Sequence, residues 1–204
     1  MANDNLISDA DAGAHEADTQ RYDRILVLLH WLLALALIGQ LVLGLWMVDL
    51  PKEPPGYRGG WFNIHKSIGL VIAVFIVWRM GWRISHPAPA AVTAPGTWQH
   101  IVSKLNHGLM YVCMVAMPLS GFIGSNFSQY PIKFFGNTLP RLFEPQPDMK
   151  ALLSEVHELF ALLFMALIAL HLAAVVWHVL VKRDGLLQRM SWGRAADNCR
   201  FFFF

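Results

Sequence analysis

Hydrophobic residues are concentrated in four long stretches of the chain that contain very few acidic residues. These stretches are Ile25–Val48, Ile64–Trp82, Ile101–Phe127 and Ala151–Val181. Each is close to or above the roughly 20 residues that an α-helix needs to cross a bilayer. The first and third connections between them are rich in proline and glycine, which end helices. The pattern predicts an all-α membrane protein built as a bundle of four transmembrane helices.

The composition supports a membrane protein rather than a soluble one. Of the 204 residues, 55% are hydrophobic and only 15% are charged, and the mean hydropathy is +0.42. A soluble domain has about a quarter charged residues. The net charge of +2 gives no indication of nucleic-acid binding. Cys113 and Cys199 are too far apart in the sequence to indicate a disulfide framework or a zinc site.

The polar ends divide the chain into three parts. Residues 1–20 are acidic and are expected to form a disordered tail, residues 21–192 the four-helix transmembrane domain, and residues 193–204 a second tail. The acidic N-terminus lacks the basic start of a cleavable signal peptide. When both ends lie on one side of the membrane, that side collects ten of the lysines and arginines and the other side six. The excess of positive charge predicts that both termini are cytoplasmic.

Two histidines on the last apolar stretch suggest a function. His157 and His171 are fourteen residues apart, which on an α-helix is a rise of about 21 Å and a return to within roughly 40° of the same face. A polar ring inside the membrane is costly unless it faces the bundle interior and has a role. Imidazole is a common axial ligand of haem iron. One helix would therefore contribute one imidazole to each of two stacked haems.

Depth along the predicted helices indicates a partner for each of these rings. His65 lies near the outer end of its stretch, at the depth of His157, and His30 lies on the inner side and can reach His171. Two further inner-side histidines, His107 and His178, compete with His171 by depth alone. Two histidine ligands leave iron no open position, which suits electron transfer rather than oxygen activation.

The motifs around these residues resemble the bacterial di-haem cytochrome b561 family. The resemblance runs from about Tyr22 to Trp192, and its elements occur in order: Arg24 with His30-Trp31, His65-Lys66-Ser67-Ile68-Gly69 followed by Arg79 and Arg83, His107 with Tyr111, Pro118 and Gly121, His157-Glu158, and Leu170-His171 ending in Lys182-Arg183-Asp184-Gly185. The family implies a multi-pass protein of the bacterial cytoplasmic (inner) membrane with two b-type haems that exchanges electrons with a quinone, here ubiquinone. Carried over by motif, the axial ligands are His30, His65, His157 and His171. The chain has no Cys-x-x-Cys-His motif for covalent haem attachment.

Several basic residues are candidates for binding the cofactors. Arg79 and Arg83 are expected either to pair with haem propionates, whose carboxylates a guanidinium matches, or to anchor the helix in the interface. Arg24, Lys104 and His107 are expected either to form a quinone pocket at the inner surface or to be ordinary interface residues. Five glycines are expected to allow close approach between helices or to a porphyrin: Gly39, Gly44, Gly69, Gly121 and Gly124.

Three functions are compatible with these features. The first is a free-standing cytochrome that passes electrons between a periplasmic donor and quinone. Basic outer residues such as Lys66 would steer a small anionic donor such as superoxide, which would make the protein a superoxide:quinone oxidoreductase. The second is a membrane-anchor subunit that relays electrons for a separate dehydrogenase or hydrogenase. The third is a haem-free transporter or structural protein. The lipid bilayer is an expected partner, and a homodimer is kept as a candidate.

Overall fold

Four long helices form the described part of the chain. The computed structural model describes residues 22–86, 89 and 96–190, so the predicted tails 1–20 and 193–204 lie outside the described residues. The helices are α1 (Arg24–Val48), α2 (Tyr57–Ser85), α3 (Trp98–Asn126) and α4 (Pro147–Trp177), and a π-helical turn, His178–Lys182, continues α4. Each helix is long and apolar enough to cross a membrane. The predicted fold of four transmembrane helices is confirmed.

The helices extend beyond the apolar stretches because their ends carry interfacial residues. Helix α2 begins at Tyr57, seven residues before Ile64, and its first turns include Trp61. Aromatic side chains of this kind sit at the level of the lipid headgroups, so a hydropathy pattern alone omits them. At the start of α1 the carboxylate of Asp23 accepts hydrogen bonds from the amides of Ile25 (2.9 Å) and Leu26 (3.2 Å).

Both described ends of the chain lie on the same face of the bundle. The indole N–H of Trp31, near the start of α1, donates to the carbonyl oxygen of Met190 (2.8 Å). The indole N–H of Trp82, near the end of α2, donates to the carboxylate of Asp23 (2.9 Å). This face is called the inner face below, and the opposite one the outer face. The cytoplasmic location of the inner face remains a prediction.

The helices pack around a small apolar core and turn most of their hydrophobic surface outward. Side chains such as Leu35 and Val77 are 71% and 70% exposed, as expected for a protein whose solvent is lipid. The buried core consists of Leu33, Ile72, Ile76, Cys113, Met114, Phe164 and Leu167. Phe164 is 2% exposed and lies on α4 midway between His157 and His171. This set is called the central apolar layer.

A short β-hairpin in the connection between α3 and α4 was not predicted from the sequence. Its strands, β1 (Lys133–Phe134) and β2 (Asn137–Thr138), pair antiparallel around Phe135 and Gly136. Both turn residues have positive φ, 46° and 95°, as in the tight turns of hairpins. The hydroxyl of Ser67 accepts a hydrogen bond from the amide of Phe135 (2.9 Å). The hairpin is thereby fastened to α2 two residues after His65.

Candidate haem sites

Near the outer face, α2 and α4 bring His65 and His157 together. The centroids of the two imidazole rings are 6.3 Å apart and their planes are inclined at 81°. Both residues are half-buried. The other two helices close this level, because α1 places Gly44 against His65 and α3 places Gly121 against His157. All four helices therefore contribute to the outer histidine pair.

Near the inner face, α1 and α4 bring His30 and His171 together. Their ring centroids are 6.4 Å apart and their planes are inclined at 69°. Helix α3 adds a third imidazole at this level, because the ring of His107 lies 5.3 Å from that of His171. Helix α2 adds Arg79, one of whose terminal nitrogens donates to the hydroxyl of Tyr111 on α3 (2.9 Å).

The spacing of both pairs fits ligation of one iron by two imidazoles. Two imidazoles that share a metal ion through metal–nitrogen bonds of about 2 Å have ring centroids about 6 Å apart. Among the described residues, no three His, Cys, Asp or Glu side chains come together as a metal site. Each pair could supply two ligands, and a porphyrin would supply the other four of a six-coordinate iron. The donor set fits a bis-histidine haem.

The ring of His157 is held in a defined orientation. Its Nδ1 lies 2.9 Å from the carbonyl oxygen of Met117 and 3.2 Å from the hydroxyl of Ser120. A ring N–H given to a carbonyl leaves Nε2 with the lone pair that a metal needs, and metal-binding histidines commonly have such a partner. Gly121 makes room for the ring, because a Cβ at that position would lie 3.1 Å from Cε1 of His157.

The ring of His65 is held differently. A Cβ on Gly44 would lie 3.4 Å from Cε1 of His65, so Gly44 packs closely against the ring. Its Nδ1 is buried and has no hydrogen-bond partner among the described residues. Its backbone carbonyl accepts a hydrogen bond of 2.6 Å from the side-chain amide of Gln40.

Of the five glycines predicted to allow close approach, four do so. Besides Gly44 and Gly121, Gly69 faces the amide of Gln40 and Gly124 faces Leu153, each too closely to accept a Cβ without adjustment. Gly39 has no protein neighbour within 4 Å of an added Cβ, so the described residues make no close helix contact there, and the approach of a porphyrin to Gly39 remains a prediction.

The two competitors of His171 occupy different positions. His178 belongs to the π-helical turn at the end of α4, and its Nδ1 lies 2.5 Å from the carboxylate of Asp184. His107 does reach the inner pair, and its Nδ1 lies 2.6 Å from the carbonyl oxygen of Ser103. Its ring is closer to that of His171 than the spacing expected for a shared metal ion. His30 is therefore the better matched partner of His171.

The predicted arginines differ in their distance from the histidines. Arg79 lies over the ring of Tyr111, with its guanidinium carbon 5.6 Å from the centroid, and its buried Nε has no partner among the described residues. Arg83 lies one turn further toward the inner face, where it contacts the ring of Tyr22 and the carbonyl of His86. Arg24 is exposed at the start of α1. Arg79 therefore has a spare donor at the level of the inner pair.

The predicted lysines lie on opposite faces. Lys66 follows His65 on α2, is half-buried, and is close enough to Lys150 for their charges to repel. Lys104 is exposed near the inner face and helps to form an open groove of about 530 Å³ along α3. The groove is lined by His100, Ile101, Lys104, Leu105, Gly108 and Leu109. Neither Arg24 nor His107 lines it, so the structure does not gather the three predicted quinone residues into one groove.

Sequence reasoning missed the groups that orient the outer rings. Gln40 was not singled out, although it and His30 are the only strongly polar side chains between Ile25 and Val48. That isolation was a usable signal, because polar side chains inside membrane helices usually face a partner. The carbonyl of Met117 could not be found in this way, since every residue has one.

Comparison with known proteins gives consistent results. A family model described as "Prokaryotic cytochrome b561" matches residues 21–193. The chain is 27% identical to "Cytochrome b561 homolog 2" of Escherichia coli (strain K12) over 183 residues, which cover 87% of this chain and 95% of that protein. It is 29% identical to "Cytochrome b561 homolog 1" of the same organism over 126 residues, 62% of this chain and 72% of that protein. It is 26% identical to "Probable superoxide oxidase CybB" of Yersinia pestis over 178 residues, 84% and 96% of the two chains.

Proposed function

Because the chain belongs to the prokaryotic cytochrome b561 family, and is thus a membrane cytochrome with a role in electron transfer, we propose that it holds two b-type haems and passes electrons between them. His65 and His157 bind the outer haem, and His30 and His171 bind the inner one. The observation that carries this proposal is the presence of two imidazole pairs at two levels of the bundle, with centroids 6.3 Å and 6.4 Å apart.

The protein's part in this function is to bind the haems and to orient their histidine ligands. Haem iron supplies reversible one-electron chemistry when bound, and two histidine ligands leave no position for oxygen. The hydrogen bond from the ring of His157 to the carbonyl of Met117 keeps its Nε2 available as a ligand. The unused Nε–H of Arg79 suits a haem propionate, because a guanidinium pairs well with a carboxylate. His107 lies beside His171 and would therefore be next to the inner haem.

The central apolar layer separates the two sites. Phe164, Ile72 and Ile76 are among the most buried side chains of the described chain, and none of them has a polar atom to hold water. Electrons can cross such a layer by tunnelling, whereas ions and protons need a polar path. The arrangement therefore favours electron transfer over ion transport, and disfavours the haem-free transporter considered from the sequence.

On the outer side, we propose superoxide as the electron donor. This rests on the likeness to a probable superoxide oxidase and on Lys66, which directly follows His65 in the sequence and is close enough to Lys150 for their charges to repel. A cluster of positive charge raises the encounter rate of an anion. Each superoxide would give up one electron and leave as dioxygen.

On the inner side, we propose ubiquinone as the electron acceptor. The groove that contains His100 and Lys104 lies on the inner part of α3 and is open along that helix, so a quinone dissolved in the bilayer could reach it from the side. Its apolar residues would contact the ring of the quinone, and Lys104 would face the quinone oxygens. Two electrons and two protons convert the quinone into a quinol. In this proposal the inner face is the cytoplasmic one.

A haem count on the purified protein tests the proposal. A pyridine haemochrome assay should give two b-type haems per chain, and superoxide followed by ubiquinone should first reduce and then reoxidise them. One haem per chain, or none, would contradict the two-site arrangement. If the protein co-purifies with a dehydrogenase or hydrogenase and superoxide does not reduce it, the membrane-anchor role would replace the superoxide:quinone role.

A further inference from the structure

Helix α1 carries one amide side chain, Gln40, in an apolar segment whose other strongly polar side chain is the proposed haem ligand His30. It lies sixteen residues after Arg24, inside the part of α1 that crosses the membrane. Burying an amide side chain in such a place costs free energy unless its polar atoms make hydrogen bonds. Its Nε2 donates a hydrogen bond of 2.6 Å to the backbone carbonyl of His65. Its Oε1 is buried and has no partner among the described residues.

The opposing helix is shaped to admit this amide. Gly69 lies one turn after His65 on α2, and a Cβ at that position would lie 3.3 Å from Nε2 of Gln40. In an α-helix the carbonyl of residue 65 also accepts the amide N–H of residue 69. The side chain of Gln40 therefore adds a second donor to a carbonyl that is already bonded. That second bond ties α1 to α2 at the position of the histidine.

The two rings of the outer pair are oriented by different means. The ring of His157 donates to the carbonyl of Met117, whereas Nδ1 of His65 has no partner among the described residues. A ligating histidine usually has such a ring partner, which sets the direction of its ring. Among the described residues, the ring of His65 instead packs against Gly44 and the ring of His157, and Gln40 holds its backbone.

We propose that Gln40 is a positioning residue for the outer haem ligand: its amide, admitted by Gly69, holds the backbone of His65 and so sets the angle between the His65 and His157 rings. This inference rests on the proposed ligation of the outer haem by these two histidines. Gln40 does not contact the iron. It acts through His65, and its effect is confined to the outer site.

The Gln40→Met variant tests the proposal directly, because methionine keeps an unbranched side chain of similar length but cannot donate to the carbonyl. The low-spin ferric EPR signal of a bis-histidine haem depends on the angle between the imidazole planes, which is 81° in the outer pair. We expect the EPR signal and the midpoint potential of the outer haem to shift and those of the inner haem to remain unchanged. Leu45→Met, at a lipid-exposed position of the same helix, should shift neither.

Gly69→Ala provides a second route to the same result without altering Gln40. The added methyl group must push the amide away from the carbonyl of His65, so the same outer signal should shift. Gly81→Ala, at an exposed position of the same helix, is the matched control, since a Cβ there meets no neighbour within 4 Å. The outer and inner signals are assigned with the His65→Ala and His30→Ala variants.

The possible outcomes separate this inference from the proposed function. If the wild-type protein does not bind two haems, the proposed function is wrong and this inference falls with it. If the wild type binds two haems and both variants leave the outer signal and potential unchanged, only the role of Gln40 is wrong. Equal shifts at both haems, or failure of both variants to accumulate while both controls fold, would show a general structural role and also overturn the proposal.

Discussion

The outer and inner histidine pairs have almost the same ring separation but different surroundings. The outer rings are enclosed by glycines, Gly44 against His65 and Gly121 against His157, and one of them is hydrogen-bonded to a backbone carbonyl. The inner rings have polar and charged side chains as neighbours, namely those of His107 and Arg79. The outer site is thus defined mainly by close steric fit, and the inner site mainly by charge and polar groups.

This difference suggests that the two sites will respond to different perturbations. An added methyl group should disturb the outer site, because packed interiors have little room to accommodate it. A change of charge should disturb the inner site, because electrostatic interactions are strong where water is excluded. The following predictions test this contrast, beginning with the largest expected effect.

Removal of a ligand should abolish one haem and spare the other. We expect His65→Ala and His157→Ala to lose the outer haem, and His30→Ala and His171→Ala to lose the inner one, because each iron would keep a single protein ligand. Haem stoichiometry and EPR of the purified variants measure this. Loss of a haem in His107→Ala or His178→Ala, with both haems retained in His171→Ala, would show that the proposed inner pairing is wrong.

Gly121→Ala should weaken the outer site in particular. The new Cβ would lie 3.1 Å from Cε1 and 3.2 Å from Nδ1 of His157, so the ring must move away from the carbonyl of Met117. We expect partial loss of the outer haem, measured as a stoichiometry between one and two haems per chain. Gly108→Ala on the same helix, where a Cβ has no neighbour within 4 Å, should keep both haems; equal losses in the two variants would remove the steric explanation.

Arg79→Gln should lower the midpoint potential of the inner haem. A positive charge near a haem disfavours the oxidised state, which carries one more positive charge, so its removal stabilises that state. At short range in a protein interior the effect amounts to about 1–2 kcal/mol. A redox titration should show the inner potential falling while the outer one stays the same. Arg58→Gln, in the first turn of α2 at the outer end, is the control. An unchanged inner potential in Arg79→Gln would contradict the importance of charge at the inner site.

Lys66→Glu should slow the reduction of the outer haem by superoxide several-fold. The reversed charge removes part of the attraction for the anion, and the wild-type rate should also fall as salt rises, because screening shortens to about 10 Å at 0.1 M. Stopped-flow spectroscopy measures both effects. Lys182→Glu, on the exposed inner end, should leave the rate unchanged. A rate independent of salt and of the Lys66 charge would exclude steering of an anionic donor.

The smallest expected effect concerns the inner end of α1. Desolvation tends to raise the pKa of Asp23, but hydrogen bonds from Trp82 and from the amides of Leu26 and Ile25 outweigh it and lower the pKa below its usual value. The stabilisation by the carboxylate is therefore present above the unfolded-state pKa and is lost as the pH falls through the lower folded-state pKa. Asp23→Ala should cost about 1 kcal/mol at neutral pH.

Thermal denaturation in detergent at two pH values measures this cost. The difference between wild type and Asp23→Ala should be present at pH 7 and should shrink in strong acid. Asp49→Ala, at the other end of the same helix, serves as the control. A difference that does not depend on pH would mean that the charge of Asp23 contributes nothing to the cap.

The amino-acid sequence predicts the helices well because a membrane imposes a simple rule. Four apolar stretches of sufficient length had to become four spans, and they did so. The helix ends were less predictable, since residues such as Tyr57 and Trp61 are amphipathic and belong to the interface. The β-hairpin at Lys133–Thr138 could not be predicted, because strands of two residues have no alternating pattern to detect.

For the candidate sites, depth along a helix was more informative than residue type. It placed His65 level with His157, and His30 level with His171, and the structure has these rings side by side. Their role as iron ligands remains a prediction. Depth could not separate His171 from His107, because both lie at the same inner level and only the direction of each side chain distinguishes them. The contact of Gln40 with His65 depends on the rotation of α1 against α2, which periodicity does not specify.

The central apolar layer has an energetic consequence for a cell that maintains a membrane potential. His157 and His171 are separated by about 21 Å along α4, roughly two thirds of a hydrocarbon core of about 30 Å. Moving one charge across the whole membrane involves about 2.3 kcal/mol per 100 mV, so an electron that passes the layer does about 1.5 kcal/mol of electrical work for each 100 mV. In the proposed direction, from the outer side to quinone at a cytoplasmic inner face, electron flow is opposed by a potential that is negative inside, so energised cells would reduce quinone through this protein more slowly than de-energised ones.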